Sequence, residues 1–219
     1  MKLTYSEVSD VQRRVAQHLF DLWQKYGLKT AHDVLEIGPG TGYFTSLFRP
    51  KLPKDARLTL WDIAPQTPET AAVDAEEALP TWPGKFNAIV GSSVMQWFRD
   101  PAAFLRAVAD HLNPGGMAVL STYGPATFGE LAEAGLPGLH YYSLDELKAM
   151  VPPSLEILEA QEGRILKLYP TPLDALRVAQ ALSPRSTGGN ALEAARNYPL
   201  RPDGRAPLTY EPVYLVLRR

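Results

Sequence analysis

The amino-acid sequence predicts an α/β fold with a mostly parallel β-sheet. Up to residue 124, short apolar runs of the kind found in buried strands alternate with amphipathic stretches that are typical of helices. The first apolar run, residues 33–37, stops at the glycine cluster "GPGTG", and a helical pattern follows it. A glycine turn between a parallel strand and a helix lies at the carboxyl end of a sheet, where ligands bind. We therefore expect the ligand site at this turn.

The elements before residue 124 follow from apolar spacing and from capping residues. Residues 8–26 carry apolar side chains at helical spacing, and Ser9 or Asp10 is the expected N-cap of this helix. A short helix is expected directly after the glycine turn. Strands are expected at 33–37, 56–63, 86–92 and 117–123.

The helix predicted at residues 100–116 has signals at both ends. Asp100 is the expected N-cap, and Pro114-Gly115-Gly116 is expected to stop the helix. Beyond residue 124 the pattern becomes less regular, and prolines are frequent in the connections. There we expect helices at 143–151 and 171–182, extended stretches at 154–161 and 164–170, a loop at 183–190 and a final strand at 208–217.

The residue composition argues against several classes of function. The chain has no cysteine, which excludes disulfides, thiolate metal sites and a cysteine nucleophile. Its four histidines have no HxxxH spacing, so we expect no metal. The net charge of −2 argues against bulk electrostatic binding of nucleic acid.

Length and hydropathy favour one cytoplasmic domain. A chain of 219 residues with 45% apolar side chains can bury one sizeable core. No apolar stretch approaches the length of about twenty residues that a membrane span needs. The opening stretch, "MKLTYSEVSDVQRR", lacks the apolar segment of a secretory signal.

The chemistry of the glycine turn indicates a cationic nucleoside ligand. The turn reads GxGxG rather than the GxGxxG of a dinucleotide site, and Glu36 precedes it. A carboxylate aimed into the turn would repel a pyrophosphate and suit a cation. Asp62 ends the next strand, where an acid can grip a ribose diol, and Asp74-Ala75-Glu76 could receive an adenine amino group. S-adenosylmethionine has these features. Taken alone, the glycines could form only a tight connection, and Asp62 could be a plain strand-end acid.

The combination resembles class I S-adenosylmethionine-dependent methyltransferases over residues 33–122, including the segment "LNPGGMAVLST". This resemblance implies a Rossmann-like fold with a mostly parallel seven-stranded sheet, an antiparallel final strand and a helical cap. It implies that the turn holds the methionine part, that the acid after the second strand holds the ribose, and that Gly91-Ser92-Ser93 faces the sulfonium. The implied cofactor-binding residues are Glu36, Gly38, Gly40, Gly42, Asp62, Ile63, Asp74, Ala75, Ser92 and Gln12.

A finer resemblance covers most of the chain. Val11-Gln12, Gln96-Trp97, "TFGEL" at 127–131 and "LTYE" at 208–211 resemble malonyl-acyl-carrier-protein O-methyltransferases of biotin synthesis. That family esterifies the free carboxylate of a malonyl thioester, which implies an acyl-carrier protein as partner. The resemblance also implies one domain, 1–219, with a core of about 30–124 and 150–219 and cap elements at 1–25, 125–149 and 171–207. We expect a monomer.

The acceptor side of the site is less defined. A carboxylate is already ionised at pH 7 and needs no base, so no catalytic residue is assigned. The substrate-binding residues implied by the resemblance are Tyr5, Gln96, Trp97, Tyr123, Tyr141, Arg164 and Arg185. Because a carrier protein is acidic, its docking surface should be basic, and the candidate arginines are 13, 14, 185, 196, 201 and 205.

Three alternatives remain at this stage. A methyltransferase with another small-molecule acceptor, such as a different acid or a quinone precursor, shares the cofactor site. A nicotinamide-dependent oxidoreductase is disfavoured because the turn lacks the third glycine of GxGxxG and carries Glu36. A non-catalytic partner subunit is disfavoured because Gly38, Gly40, Gly42 and Asp62 are all present.

Overall fold

The computed structural model describes residues 5–182 and 190–219, with side chains from residue 10 onward. Within these ranges the chain forms eight α-helices and nine strands. The helices are α1 (Tyr5–Tyr26), α2 (Tyr43–Phe48), α3 (Ala75–Ala78), α4 (Pro101–His111), α5 (Gly129–Glu133), α6 (Leu144–Met150), α7 (Pro172–Leu182) and α8 (Ala191–Asn197). The strands are β1 (Asp33–Ile37), β2 (Arg57–Asp62), β3 (Ala71–Ala72), β4 (Phe86–Gly91), β5 (Leu112–Tyr123), β6 (Glu156–Glu162), β7 (Ile165–Tyr169), β8 (Ala206–Tyr210) and β9 (Pro212–Arg218).

Seven strands form one mostly parallel sheet in the order β3-β2-β1-β4-β5-β9-β6. Strand β1 pairs in parallel with β2 on one side and with β4 on the other. The start of β5 lies beside the end of β9, because the Gly115 amide donates to the Arg219 carbonyl at 2.8 Å and the Arg219 amide donates to the Gly116 carbonyl at 2.9 Å. Strand β9 is therefore antiparallel, and the predicted Rossmann-like sheet with an antiparallel last strand is confirmed.

The sequence signals at the start of α1 and at the end of α4 were misleading. Helix α1 begins at Tyr5, so the expected N-cap residues Ser9 and Asp10 lie within it. Asp100 does cap α4, accepting from the Ala103 amide at 2.8 Å, but α4 ends at His111.

The predicted stop signal Pro114-Gly115-Gly116 instead lies within β5. There, Phe86 of β4 pairs with Leu112 of β5 and Ala88 pairs with Met117, so a step of two positions in β4 faces a step of five in β5, which marks a bulge. The backbone of this bulge is hydrogen-bonded to the backbone of Arg219, at the far end of the sequence. These bonds keep Gly115 and Gly116 within a strand, where the sequence predicted the end of a helix.

The expected final strand at 208–217 is two strands. The extended chain breaks at Glu211, and β8 pairs antiparallel with β7 in a separate two-stranded sheet. The stretch predicted at 164–170 is therefore not part of the main sheet, and the two-residue strand β3 completes that sheet. The loop predicted at 183–190 lies, apart from Asn190, outside the described residues.

Two compact units make up the chain. The sheet unit comprises Gln12–Thr122, Leu144–Gln161 and Val213–Arg219. The small unit comprises, within the described residues, the chain up to Val11 together with Tyr123–Ser143 and Glu162–Pro212. The assignment of a core at 30–124 and 150–219 and of a cap at 1–25, 125–149 and 171–207 stays a prediction.

Each unit has its own buried side chains. In the sheet unit, β1 and β4 are buried, and the Trp23 ring of α1 lies 5.1 Å from the Phe48 ring of α2. In the small unit, α7 packs on α8 and on both strands β7 and β8, and α5 packs on β8. Three of the features that the sequence assigned to a cofactor lie at strand ends. The glycine turn follows β1, Asp62 ends β2, and Ser92 follows β4.

Candidate functional site

The glycine turn connects β1 to α2 and has an open side. Gly38, Gly40 and Gly42 all have positive φ, between 52° and 80°. A Cβ on Gly38 would lie 2.9 Å from the Val94 side chain, so this glycine is needed for close packing. Among the described residues, a Cβ on Gly40 or Gly42 would approach nothing closer than 3.9 Å, so these residues leave space on the turn.

The Asp62 carboxylate joins the end of β2 to this turn. One oxygen accepts from the Gly40 amide at 3.1 Å, and the other accepts from the Ala64 amide at 2.9 Å. The side chain is only partly buried, and each oxygen retains a lone pair for a further donor. The next residue, Ile63, leaves 75% of its surface exposed. An acid and an exposed apolar side chain thus stand together beside the turn.

A loop takes the place of a helix between β2 and β3. Residues 63–70 contain no α-helix, and all of them are described. The loop is held by a hydrogen bond of 2.7 Å between the Thr67 and Thr70 hydroxyls and by Arg49, which donates twice to Glu69 at 3.0 and 2.9 Å.

This loop brings two further side chains to the turn. The Gln66 amide nitrogen is 4.0 Å from where a Gly40 Cβ would be, and a Thr67 methyl is 3.9 Å from the same position on Gly42. Neither residue was predicted from the sequence. The sequence did contain one indication of this loop: the stretch between Asp62 and Asp74 is short and leaves little room for a helix.

Glu36 is buried directly beneath the turn. It is 1% exposed, and its Oε2 accepts from the Thr45 hydroxyl of α2 at 2.6 Å. Burial raises the pKa of Glu36 to about 8, although the Thr45 hydrogen bond opposes this rise. Without a ligand, the group is therefore largely neutral at pH 7. Its predicted role as a counterion of a cation stays a prediction.

Asp74 and Ala75 begin the short helix α3. Asp74 is its N-cap and accepts from the Glu76 amide at 2.9 Å, while Ala75 is buried. Glu76 accepts from the amides of Arg99 and Asp100 at 2.9 and 3.0 Å. The predicted adenine segment is thus tied to the loop that follows β4.

The loop after β4 contains Ser92, Gln96 and Trp97. Ser92 is half-buried, and its neighbour Ser93 has a φ of 55° and an amide that donates to the Ser121 hydroxyl at 2.8 Å. The Gln96 side chain donates to the Ser93 carbonyl at 2.5 Å and accepts from the Thr122 hydroxyl at 3.2 Å. Trp97 stays 36% exposed. These bonds fix the loop from both of its ends.

Gln12 is exposed on α1, where its neighbour Arg13 places its guanidinium 5.5 Å from the centre of the Tyr43 ring. The predicted cofactor residues from Gln12 to Ser92 all belong to the sheet unit.

The predicted substrate residues are divided between the units. Gln96 and Trp97 belong to the sheet unit, whereas the small unit contains Tyr123, which is buried, Tyr141, which is half-buried, and Arg164, which is exposed. The Tyr5 side chain and Arg185 lie outside the described residues. That these residues share an acceptor pocket stays a prediction.

Two searches of the described residues gave negative results. No cluster of three or more His, Cys, Asp or Glu side chains that could hold a metal ion occurs in this part of the chain. None of the helices that the structure describes is both long and apolar enough to cross a membrane.

Comparison with known proteins identifies the family. A family model described as a methyltransferase domain matches residues 8–152, which include the glycine turn and the strands on either side of it. The chain belongs to this methyltransferase family. Family membership makes S-adenosylmethionine the methyl donor of this methyltransferase.

Individual relatives match nearly the whole methyltransferase. The malonyl-[acyl-carrier protein] O-methyltransferase of Porphyromonas gingivalis is 29% identical, with 98% of this chain and 90% of the relative covered. The protein of the same name from Haemophilus influenzae is 24% identical, with 98% and 89% covered.

Solved structures share the fold. The N-methyltransferase NodS of Bradyrhizobium japonicum, in complex with S-adenosyl-L-homocysteine, has a TM-score of 0.56 at 17% identity, with 94% of this chain and 86% of that chain covered. The YcgJ protein of Bacillus subtilis has a TM-score of 0.63 at 18% identity, with 93% and 98% covered.

The residues around the turn fit S-adenosylmethionine. The open side of Gly40 and Gly42 lets a ligand approach the backbone, which a Cβ would prevent. Asp62 offers carboxylate oxygens to a ribose diol, and Ile63 offers an exposed apolar surface to a ring. The buried carboxyl of Glu36 beneath the turn suits a cationic ligand better than a pyrophosphate. That these residues hold the cofactor stays a prediction.

Replacing Asp62 by alanine should weaken cofactor binding. The ribose hydroxyls would lose a charge-assisted hydrogen bond, at a cost of roughly 1.5–3 kcal/mol, and the Gly40 amide would lose its acceptor. Isothermal titration with S-adenosylhomocysteine should show a Kd about 10- to 150-fold higher. Asp55→Ala is the control, since Asp55 is exposed and contacts only His32 among the described side chains. An unchanged Kd for Asp62→Ala would contradict the ribose assignment.

The buried Glu36 should make stability depend on pH. Between its ordinary pKa of 4.5 and about 8, folded Glu36 keeps a proton that the unfolded chain has released. Raising the pH through this window therefore lowers the free energy of unfolding, with a slope of up to about 1.4 kcal/mol per pH unit. The loss should level off above pH 8.

Urea unfolding of the wild type and Glu36→Gln across this pH range isolates the effect of Glu36. The variant cannot ionise at this position, so its stability should decline less between pH 4.5 and 8. Identical pH profiles for both proteins would show that Glu36 does not titrate with a raised pKa.

Proposed function

We propose that this methyltransferase transfers a methyl group to the free carboxylate of a malonyl group carried by an acyl-carrier protein, an early step of biotin synthesis. Relatives with that activity in their names match nearly the full length of the chain. The structural observation that supports the proposal lies outside the cofactor site. The segments "TFGEL" at 127–131 and "LTYE" at 208–211, which carry the resemblance to these enzymes, are bonded to each other in the small unit.

Hydrogen bonds join these two segments and the residue before the first of them. The Glu130 carboxylate accepts from the Thr209 amide at 3.0 Å and from the Thr209 hydroxyl at 2.6 Å. The Thr127 hydroxyl accepts from the Glu211 amide at 3.0 Å. The Glu211 carboxylate in turn accepts from the Ala126 amide at 2.8 Å. Residues that are about eighty positions apart in the sequence are thus held together by hydrogen bonds.

Methyl transfer to a carboxylate requires little of the protein beyond binding the donor and the acceptor and aligning them. S-adenosylmethionine supplies an electrophilic methyl group on a sulfonium when bound. A malonyl carboxylate is ionised at pH 7, so no side chain has to remove a proton from it. The chain contributes positioning and the exclusion of water. Asp62 and the glycine turn would hold the donor, while the bonds of Gln96 to Ser93 and Thr122 fix the loop that presents Trp97.

The partner and the compartment are part of the same proposal. An acyl-carrier protein is acidic, and Arg196 and Arg201 are exposed in the small unit. We propose these two as docking residues in preference to Arg205, which is paired with Asp203 at 2.7 Å. The lack of cysteine suits a reducing cytoplasm.

Transfer of labelled methyl from S-adenosylmethionine to malonyl-acyl-carrier protein tests the proposal. We expect label on the malonyl form and none on acetyl-acyl-carrier protein, which lacks a free carboxylate. Label on both would point to the carrier protein itself as acceptor. If neither is labelled by a protein that still binds S-adenosylhomocysteine, the acceptor is a different molecule and the proposal is wrong.

A further inference from the structure

The loop at residues 63–70 lies against the open side of the glycine turn. The Gln66 amide nitrogen is 4.0 Å from the position of a Cβ on Gly40, and the Thr67 methyl group is 3.9 Å from that position on Gly42. The loop and the turn both belong to the sheet unit. Gln66 is therefore a polar side chain beside the surface where we expect the cofactor.

The backbone that carries Gln66 is well constrained. The segment 65–68 begins and ends with proline, and each proline ring fixes its own φ. The Thr70 amide donates to the Thr67 carbonyl at 3.2 Å, and the hydroxyls of the same two residues are 2.7 Å apart. A side chain that extends from a constrained backbone loses less freedom when it binds a ligand.

The glycine amides of the turn already have acceptors within the protein. The Gly40 amide donates to the Asp62 carboxylate at 3.1 Å, and the Gly42 amide donates to the Pro39 carbonyl at 2.9 Å. The Gly38 amide donates to a backbone carbonyl of β2 at 2.7 Å. A further hydrogen-bond donor to a ligand beside Gly40 therefore has to come from another group.

A ribose diol bound to Asp62 needs a donor as well as an acceptor. Each ribose hydroxyl has one hydrogen to donate and two lone pairs that accept, whereas a carboxylate can only accept. The Gln66 side chain has two N–H donors and lies beside the same glycine that Asp62 holds. None of the hydrogen bonds among the described residues involves this side chain. Its donors match what the carboxylate lacks.

We propose that the Gln66 side-chain amide donates a hydrogen bond to a ribose hydroxyl of S-adenosylmethionine. Asp62 accepts from the diol and Gln66 donates to it, so the two side chains together select a ribose over a deoxyribose. A site that hydrogen-bonds a hydroxyl discriminates against an analogue that lacks it. The inference rests on the proposed ribose role of Asp62 and does not depend on the methyl acceptor.

Gln66→Met removes the amide and keeps the length of the side chain. Isothermal titration with S-adenosylhomocysteine should show a Kd about 2- to 13-fold higher, because one neutral hydrogen bond is lost. With the 2′,3′-dideoxy analogue of S-adenosylhomocysteine, the variant and the wild type should have the same Kd, since this ligand has no hydroxyl for Gln66 to contact.

Gln24→Met is the matched control. Gln24 is an exposed glutamine near the end of α1, away from the glycine turn in the sequence. The same substitution there should change neither Kd. Both variants should keep the Tm of the wild type, because both side chains are exposed.

Three results would show that the inference is wrong. The first is an unchanged Kd of Gln66→Met for S-adenosylhomocysteine. The second is an equal rise for both ligands, which would place the effect of Gln66 away from the ribose hydroxyls. The third is a lower Kd, which would show that the Gln66 side chain obstructs the site.

The titrations also separate this inference from the proposals above. They contain no methyl acceptor, so their failure leaves the proposed transfer to malonyl-acyl-carrier protein untouched. In the same way, failure of that transfer leaves the ligand binding of Gln66 untouched. If Asp62→Ala binds S-adenosylhomocysteine as the wild type does, the ribose lies elsewhere and the inference on Gln66 fails with that assignment.

Discussion

The hydrogen bond from the Gly40 amide to the Asp62 carboxylate is the contact on which the cofactor site depends. It ties the glycine turn after β1 to the end of β2, so that both strand ends present their groups on one side. A second hydrogen bond also joins the turn to β2: the Gly38 amide donates to the Trp61 carbonyl at 2.7 Å. If Asp62 also binds the ribose, as we propose, one carboxylate links the shape of the turn to the binding of the cofactor.

A buried acid lies beneath this exposed one. Asp62 is partly exposed and braced by two amides, whereas Glu36 is enclosed and bonded to the Thr45 hydroxyl. Burial raises the pKa of Glu36 to about 8, so binding of a cation near it would favour loss of its proton. Two acids at one turn are therefore in different environments. A raised pKa avoids a bare charge in the core, and the role of Glu36 toward a cationic donor stays a prediction.

Local patterns in the sequence predicted the main sheet well. Strand β1 was predicted with the bounds that the structure has, and the seven-stranded sheet with an antiparallel last strand was confirmed. The error at the end of α4 occurred where a distant residue decides the local structure. The bulge of β5 at Gly115 is completed by Arg219, and no signal near residue 115 shows this.

The residues predicted for the methyl acceptor show the same limit, because contacts between distant segments cannot be seen in the sequence. The hydrogen bonds that hold Thr209 and Glu211 become visible only when residues 127–131 and 208–211 are brought together. The cofactor turn, in contrast, is one short segment with a known chemistry. The residues proposed for the donor belong to the sheet unit.

The central claim is that the methyl group is transferred to a carboxylate oxygen. The most direct measurement is ¹³C NMR of malonyl-acyl-carrier protein after reaction with S-adenosylmethionine labelled in its methyl carbon. The account predicts a new methoxy carbon of an ester. A methyl carbon bonded to the central malonyl carbon, or to a nitrogen or hydroxyl of the carrier, would contradict it.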